Sequence, residues 1–202
     1  MSGEIHEVEQ AAGSYVAKRL VDIVLAGLAL ILAVAPGLVI GLLVKLTSKG
    51  PAIYWSERVG RYNGNFHMPK FRTMCIDTPA VATHLMHNPD RCLTPIGKFL
   101  RKTSLDELPQ LWSILVGDMS VVGPRPALFN QEDLIALRTE AGVDKLTPGL
   151  TGWAQINGRD ELPIPAKVQF DVEYMQRRSF WFDLRIIVLT FVRVLHRKGV
   201  SH

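Results

Sequence analysis

The chain has 202 residues, enough for one ordinary domain with a real core, or for one domain plus a membrane element. Hydrophobic residues make up 48% of it and the mean hydropathy is +0.14; the apolar residues are concentrated rather than spread, which favours a membrane element over a purely soluble domain. Lys and Arg exceed Asp and Glu by 23 to 19, no nucleic-acid-binding motif accompanies the excess, and much of it flanks apolar segments, at Lys18-Arg19, Lys45, Lys49, Arg177-Arg178, Arg193 and Arg197-Lys198. That placement suits anionic lipid headgroups or phosphorylated substrates.

In chain order, residues 1–15 are polar, contain small residues and read as a loosely ordered tail. Residues 20–44 follow with Asp22 as their only charge, a run long enough to span a bilayer as a helix. A signal peptide does not fit: the run is too long, starts late and lacks a small-residue cleavage pattern. Ala35-Pro36-Gly37 lies inside it, and Pro36 removes a backbone hydrogen bond and clashes with the preceding turn. Basic residues also flank both ends, whereas a single span usually carries its excess on the cytoplasmic side only. A helix-break-helix over residues 16–47, dipping into one leaflet with arms of about 24 Å and 15 Å against a hydrocarbon core of about 30 Å, satisfies both observations. A kinked spanning helix satisfies the first.

Beyond the Gly50-Pro51 loop, residues 53–59 have strand composition and Asn63-Gly64 supplies a turn before Phe66-His67-Met68, predicting a small β-hairpin. Residues 78–95, with three prolines, predict an irregular connection. His84 and His87 lie there without acidic or Cys partners and read as a surface pair rather than metal ligands, and Cys75 and Cys92, without metal or redox spacing, read as reduced thiols. Short helices are predicted at 96–101 and 107–116, a short strand at 119–122, a polar helix at 130–141, a Gly-rich loop at 147–160 and a helix at 166–178. The last helix, about 180–198, mixes aromatic, aliphatic and basic residues in the way of a helix lying at a membrane interface. The class this predicts is α+β, mainly α-helical, with residues 48–202 forming the domain beside the membrane segment.

The stretch TSLDELPQLW, residues 103–112, places Asp106 and Glu107 side by side at the head of an apolar helical run. Ser104 to Glu107 fits the S-x-x-E capping box, acids suit the positive end of a helix dipole, and Pro109 is tolerated near a helix start. Other residues suggest that the pair also does chemistry. Lys70 and Arg72 follow the hairpin, Arg101 precedes the pair, Asp118 follows the helix, and Arg125 sits between prolines in Gly123-Pro124-Arg125-Pro126. A guanidinium matches phosphate oxygens, and Gly149, Gly152 and Gly158, with Arg159 beside them, let backbone approach a ligand closely. These are parts for a phosphate site, at which a carboxylate pair can serve as nucleophile and Mg²⁺ ligand, with the helix N-terminus keeping Asp106 ionised.

The segments KFRTM (70–74), LRKTSLDELPQLWSILVGDMSVVGPRP (100–126) and LTPGLTGWAQINGRD (146–160) together resemble the monotopic polyprenyl-phosphate phosphoglycosyl transferases, the bacterial sugar transferase family, over residues 16–201. The resemblance implies a minimal form of the enzyme at the cytoplasmic face of the bacterial inner membrane. The reaction it implies is transfer of a phospho-sugar from a UDP-sugar to undecaprenyl phosphate, with release of UMP, ahead of downstream glycosyltransferases. It further implies Asp106 as nucleophile, Glu107 as Mg²⁺ ligand, Arg101 as a functional arginine, Asp183 near the lipid phosphate, and a re-entrant break at Pro36. Relatives often have Ser-Pro at that break where this chain has Ala35-Pro36. Two other readings use the same residues: a membrane-bound nucleotide-sugar pyrophosphatase that activates water, and a polybasic membrane scaffold in which the carboxylates are only caps.

Overall fold

The computed structural model describes residues 2–79, 89–158 and 162–195. His84, His87, Arg159 and the end of the expected C-terminal helix lie outside them.

The molecule is mainly helical, with two small sheets. Helix α1 (Ser2–Thr47) leads into strands β1 (Ile53–Val59) and β2 (Asn65–Phe71), helices α2 (Gly97–Thr103) and α3 (Gln110–Val116), and strands β3 (Ser120–Val122) and β4 (Ala127–Leu128). Helix α4 (Glu132–Glu140), strand β5 (Gly149–Thr151) and helices α5 (Trp153–Asn157), α6 (Ile164–Arg177) and α7 (Phe180–Leu195) complete it. The predicted hairpin is present: β1 and β2 are antiparallel with Trp55 opposite Pro69, and β4 adds to the other edge of β1. Strands β3 and β5 form a short parallel pair, Ser120 opposite Gly149.

Two expectations about α1 change. Residues 2–15 continue the helix rather than forming a loose tail, because Glu4, Glu7, Glu9, Gln10, Ala11 and Ala12 are good helix formers and extend a helix already nucleated. The helix also runs through Pro36 without interruption. Pro36 is exposed, so the backbone bond it forfeits lies on the face away from the rest of the molecule. On the opposite face the two turns that follow Pro36 lie against one ring: a Cβ added at Gly37 or Gly41 would lie 3.8 Å or 3.6 Å from Phe71 of β2.

One stripe of α1 is packed along its length. Arg19 donates to the Ile114 and Leu115 carbonyls at the end of α3; Ala26 packs with Met68, Leu111 and Ile114; and Ile40 and Val44 pack with Phe71 and Leu100. The spacing is that of one helical face. The opposite face stays apolar and open to the surroundings, at Leu28, Ile31, Leu32, Leu38, Leu42 and Leu46. Among the described residues α1 is the one helix long and apolar enough to cross a membrane.

Asp22, the one charge in the apolar run, is buried and explains how α1 is held. Its two carboxylate oxygens accept from the Ser120 hydroxyl at 2.7 Å and the Val121 N–H at 3.0 Å. An ionisable residue inside a membrane-type segment usually has such a partner, so the lone charge was a legible signal whose partner was not. Asp22→Leu leaves the Val121 N–H without its partner and the Ser120 hydroxyl with Val122 O alone at 3.0 Å, and is expected to destabilise the fold by about 1–3 kcal/mol, read from thermal melts in detergent.

Candidate active site

Asp106 and Glu107 sit in a 3₁₀ turn, Leu105–Glu107, wedged between α2 and α3. The capping box does not form. Ser104 adopts a left-handed backbone with φ of 57°, and its side chain makes no capping bond. That reversal costs on the order of 1–2 kcal/mol for a residue with a Cβ. It turns the next residues inward, leaving Asp106 only 8% exposed.

Cations surround the pair. Arg125 donates from Nη2 to Glu107 Oε1 at 2.7 Å, and Lys70 Nζ lies 3.6 Å from the same oxygen. Lys70, Arg101 and Arg125 all favour the charged form of Asp106, but burial and neighbouring Glu107 outweigh them and push its carboxyl up to about 6. At that value the carboxyl is still mostly ionised at pH 7, but no helix N-terminus keeps it so. Helix α3 begins at Gln110, beyond the pair, and desolvation is the stronger effect. Burial likewise lowers the Lys70 ammonium to about 8, against the pull of Glu107.

The Arg125 loop is fastened from two sides. The Gly123 N–H donates to Thr151 O at 2.9 Å, and the Gly149 N–H donates to Pro124 O at 2.8 Å. A Cβ at Gly149 would lie 2.0 Å from Gly123 N, and one at Gly152 would lie 2.1 Å from Gly123 O. These two glycines therefore serve close backbone packing against the arginine loop, where the sequence suggested approach to a ligand. The expected 147–160 loop contains β5 and α5 for the same reason. Gly149→Ala is expected to cost at least about 2 kcal/mol and to lower activity through displacement of Arg125, measurable as a joint loss of melting temperature and turnover.

On the other side, Arg138 of α4 donates from Nη1 to the Arg125 carbonyl at 2.8 Å. Arg138 also holds Asp171 of α6 through Nε at 3.0 Å and Nη2 at 2.7 Å, with Asp171 only 1% exposed. Neither residue stood out in the sequence, because nothing in a polar helix marks one arginine as buried. Such a pair is retained for the geometry it fixes more than for net stability.

The structure brings together Asp106, Glu107, Lys70, Arg101 and Arg125, and engages the other expected residues elsewhere. Arg72 donates to Pro51 O, Ser48 O and Ser48 Oγ, tying the chain after α1 to β2. Asp183 of α7 accepts from Lys18 Nζ at 2.6 Å and from the Tyr174 hydroxyl at 2.9 Å, joining α1, α6 and α7. Among the described residues no cluster of three or more His, Cys, Asp or Glu side chains forms. The residues that could hold a cation are the adjacent Asp106 and Glu107, a donor set of the kind Mg²⁺ takes: that ion keeps several waters and commonly binds one or two carboxylates plus substrate phosphates.

The sequence has known relatives. The model of the family described as "Bacterial sugar transferase" matches residues 13–197. The chain is 41% identical over 197 residues to a UDP-glucose:undecaprenyl-phosphate glucose-1-phosphate transferase of Xanthomonas campestris pv. campestris, covering 91% of this chain and 40% of that one. It is 37% identical over 198 residues to an undecaprenyl-phosphate galactose phosphotransferase of Salmonella typhimurium, covering 90% and 41%. It is 41% identical over 161 residues to EpsL, an uncharacterized sugar transferase of Bacillus subtilis, covering 78% and 77%. The chain thus spans about two fifths of the length of the first two relatives.

Proposed function

The chain belongs to the bacterial sugar transferase family, and from that premise we propose that it transfers a sugar phosphate from a UDP-sugar to undecaprenyl phosphate through a covalent Asp106 intermediate. The observation that carries the reading is Asp106 itself, buried beside Glu107 and faced by Lys70, Arg101 and Arg125. Unlike buried Asp171, which is engaged by Arg138, Asp106 combines desolvation with three facing cations suited to an anionic substrate.

In the first step an Asp106 carboxylate oxygen attacks the sugar-bearing phosphorus of the UDP-sugar. The bond from that phosphorus to the bridging oxygen breaks, UMP leaves with the electron pair, and an aspartyl phospho-sugar forms. In the second step a phosphate oxygen of undecaprenyl phosphate attacks the same phosphorus, forming the lipid diphosphate and releasing the Asp106 carboxylate. Covalent catalysis divides the meeting of a water-soluble donor and a membrane-bound acceptor into two successive encounters. Arg125, fixed by its loop, and Lys70 offset the repulsion between an anionic nucleophile and an anionic diphosphate. Glu107 would hold Mg²⁺, whose chemistry here is neutralisation of charge on the phosphates.

The long apolar face of α1 and the exposed aromatics of α7, including Trp181 at 75%, support attachment to the cytoplasmic leaflet of the bacterial inner membrane. A helix crossing a hydrocarbon core of about 30 Å would leave the domain behind, whereas the domain accompanies α1 from Arg19 to Val44. This favours a monotopic arrangement in which α1 rests in one leaflet. The product, a lipid diphosphate sugar, is a substrate for downstream glycosyltransferases.

The test is incubation of the purified chain with a panel of UDP-sugars, Mg²⁺ and undecaprenyl phosphate. UMP and lipid-linked product are expected together from at least one donor. Lipid-independent release of UMP with free sugar phosphate would instead identify a pyrophosphatase.

A further inference from the structure

A second cluster of cations lies away from the carboxylate pair, around a cleft where α1 meets β3 and the loop before β5. It is lined by Lys18, Arg19, Arg61, Lys145 and Arg178 from four separate parts of the chain, together with Tyr15, Ser120 and Thr147. Lys70, Arg101 and Arg125 take no part in it. Asp22 is the one acid that lines it, and both its oxygens are already engaged by Ser120 and Val121.

Two of the five cations are accounted for inside the fold. Lys18 pairs with Asp183, and Arg19 caps the carbonyl end of α3. The other three have no carboxylate partner among the described residues. Arg61 donates to the Lys145 carbonyl and to the Tyr62 hydroxyl and lies over the Tyr15 ring, while Lys145 and Arg178 stay exposed. Like charges gathered on one cleft repel one another and raise the local concentration of anions.

The position of the cleft indicates which anion. Tyr15 to Arg19 immediately precede the apolar run that begins at Leu20, and Arg178 stands two residues before the exposed Phe180 and three before the exposed Trp181 of α7. Where α1 and α7 enter a bilayer surface, these cations stand at headgroup depth, with aromatic rings at the same level as expected of interfacial anchors.

We infer that this cleft binds the phosphate of an anionic phospholipid headgroup, at a site separate from the one that performs transfer. The inference rests on the membrane placement proposed above but not on the reaction, so its test reads binding alone. The full chain in detergent is titrated with phosphatidylglycerol or phosphatidylcholine and the bound lipid is counted by native mass spectrometry. The first phosphatidylglycerol is expected to bind about tenfold more tightly than phosphatidylcholine, worth about 1.4 kcal/mol.

That preference is expected to fall below about twofold in the triple variant Arg61→Gln, Lys145→Gln, Arg178→Gln. All three side chains are exposed, so the variant should melt as the wild type does. A control removing three exposed charges elsewhere, Arg91→Gln, Lys98→Gln and Lys102→Gln, is expected to keep the preference. Equal binding of the two lipids, an unchanged preference in the triple variant, or an equal loss in the control would overturn the inference. Displacement of phosphatidylglycerol by millimolar inorganic phosphate would reassign the cleft to a soluble phosphate ligand and overturn the lipid claim. UMP release by the triple variant in neutral detergent is expected to match wild type, which keeps failure of this site distinct from failure of the transferase reading.

Discussion

Asp106→Asn is expected to abolish sugar-phosphate transfer and, at pH 7, to make the protein more stable. The loss follows from removing the nucleophile: the amide cannot form the acyl phosphate, so turnover should fall by at least about 10³-fold. The gain follows from burial. The Asp106 carboxyl is raised from 3.8 to about 6 in the fold, so the folded state favours the neutral form. Ionisation therefore costs nothing below about pH 4, costs progressively more up to about pH 6, and costs its full amount above that, on the order of 1–3 kcal/mol. Asparagine removes the cost, and the melting temperature at pH 7 should rise by a few degrees, about 2–4 °C per kcal/mol at this chain length. At about pH 4 the difference should vanish. If Asp106 merely capped a helix, the same substitution would be neutral for both activity and stability.

Arg125→Lys is expected to lower kcat/KM by about 10²-fold while leaving the melting temperature nearly unchanged. Lysine keeps the charge but not the planar fork. It would lose the 2.7 Å bond to Glu107 and the fixed angle that the loop gives the guanidinium. Stability should hold because the loop is secured by its backbone, through Thr151, Gly149 and Arg138, and not by the Arg125 side chain. Steady-state kinetics with parallel thermal melts would separate the two effects. An equal loss in both would make Arg125 a structural residue.

Much of the fold was legible because local chemistry and tertiary structure agree. The β1–β2 hairpin follows from β-rich runs around a turn, and α4, α6 and α7 appear within a few residues of their expected bounds. Two of the misreadings share a cause: long-range packing outweighed a local preference. Ser104 has the residue type and spacing of a cap, yet burial of Asp106 requires a left-handed turn there. Gly149 and Gly152 have the composition of a ligand loop, yet they are small because the arginine loop lies against them.

The group at the candidate site was visible as motifs: Asp106, Glu107, Lys70, Arg101 and Arg125 were all chosen from sequence, and they meet. Arg138 and Asp171 were not, since a buried ion pair between two polar helices leaves no local trace. Arg72 and Asp183 also stood in the motifs, and their contacts with Ser48 and Lys18 are tertiary ones that no local pattern announces.

The most direct measurement is the mass of the peptide carrying Asp106 after the protein is mixed with its UDP-sugar donor in the absence of lipid and rapidly quenched. A covalent intermediate predicts an added sugar phosphate on that peptide, one UMP released per adduct, and loss of the adduct when undecaprenyl phosphate is supplied. UMP release without any adduct, or an adduct that persists in Asp106→Asn, would contradict it.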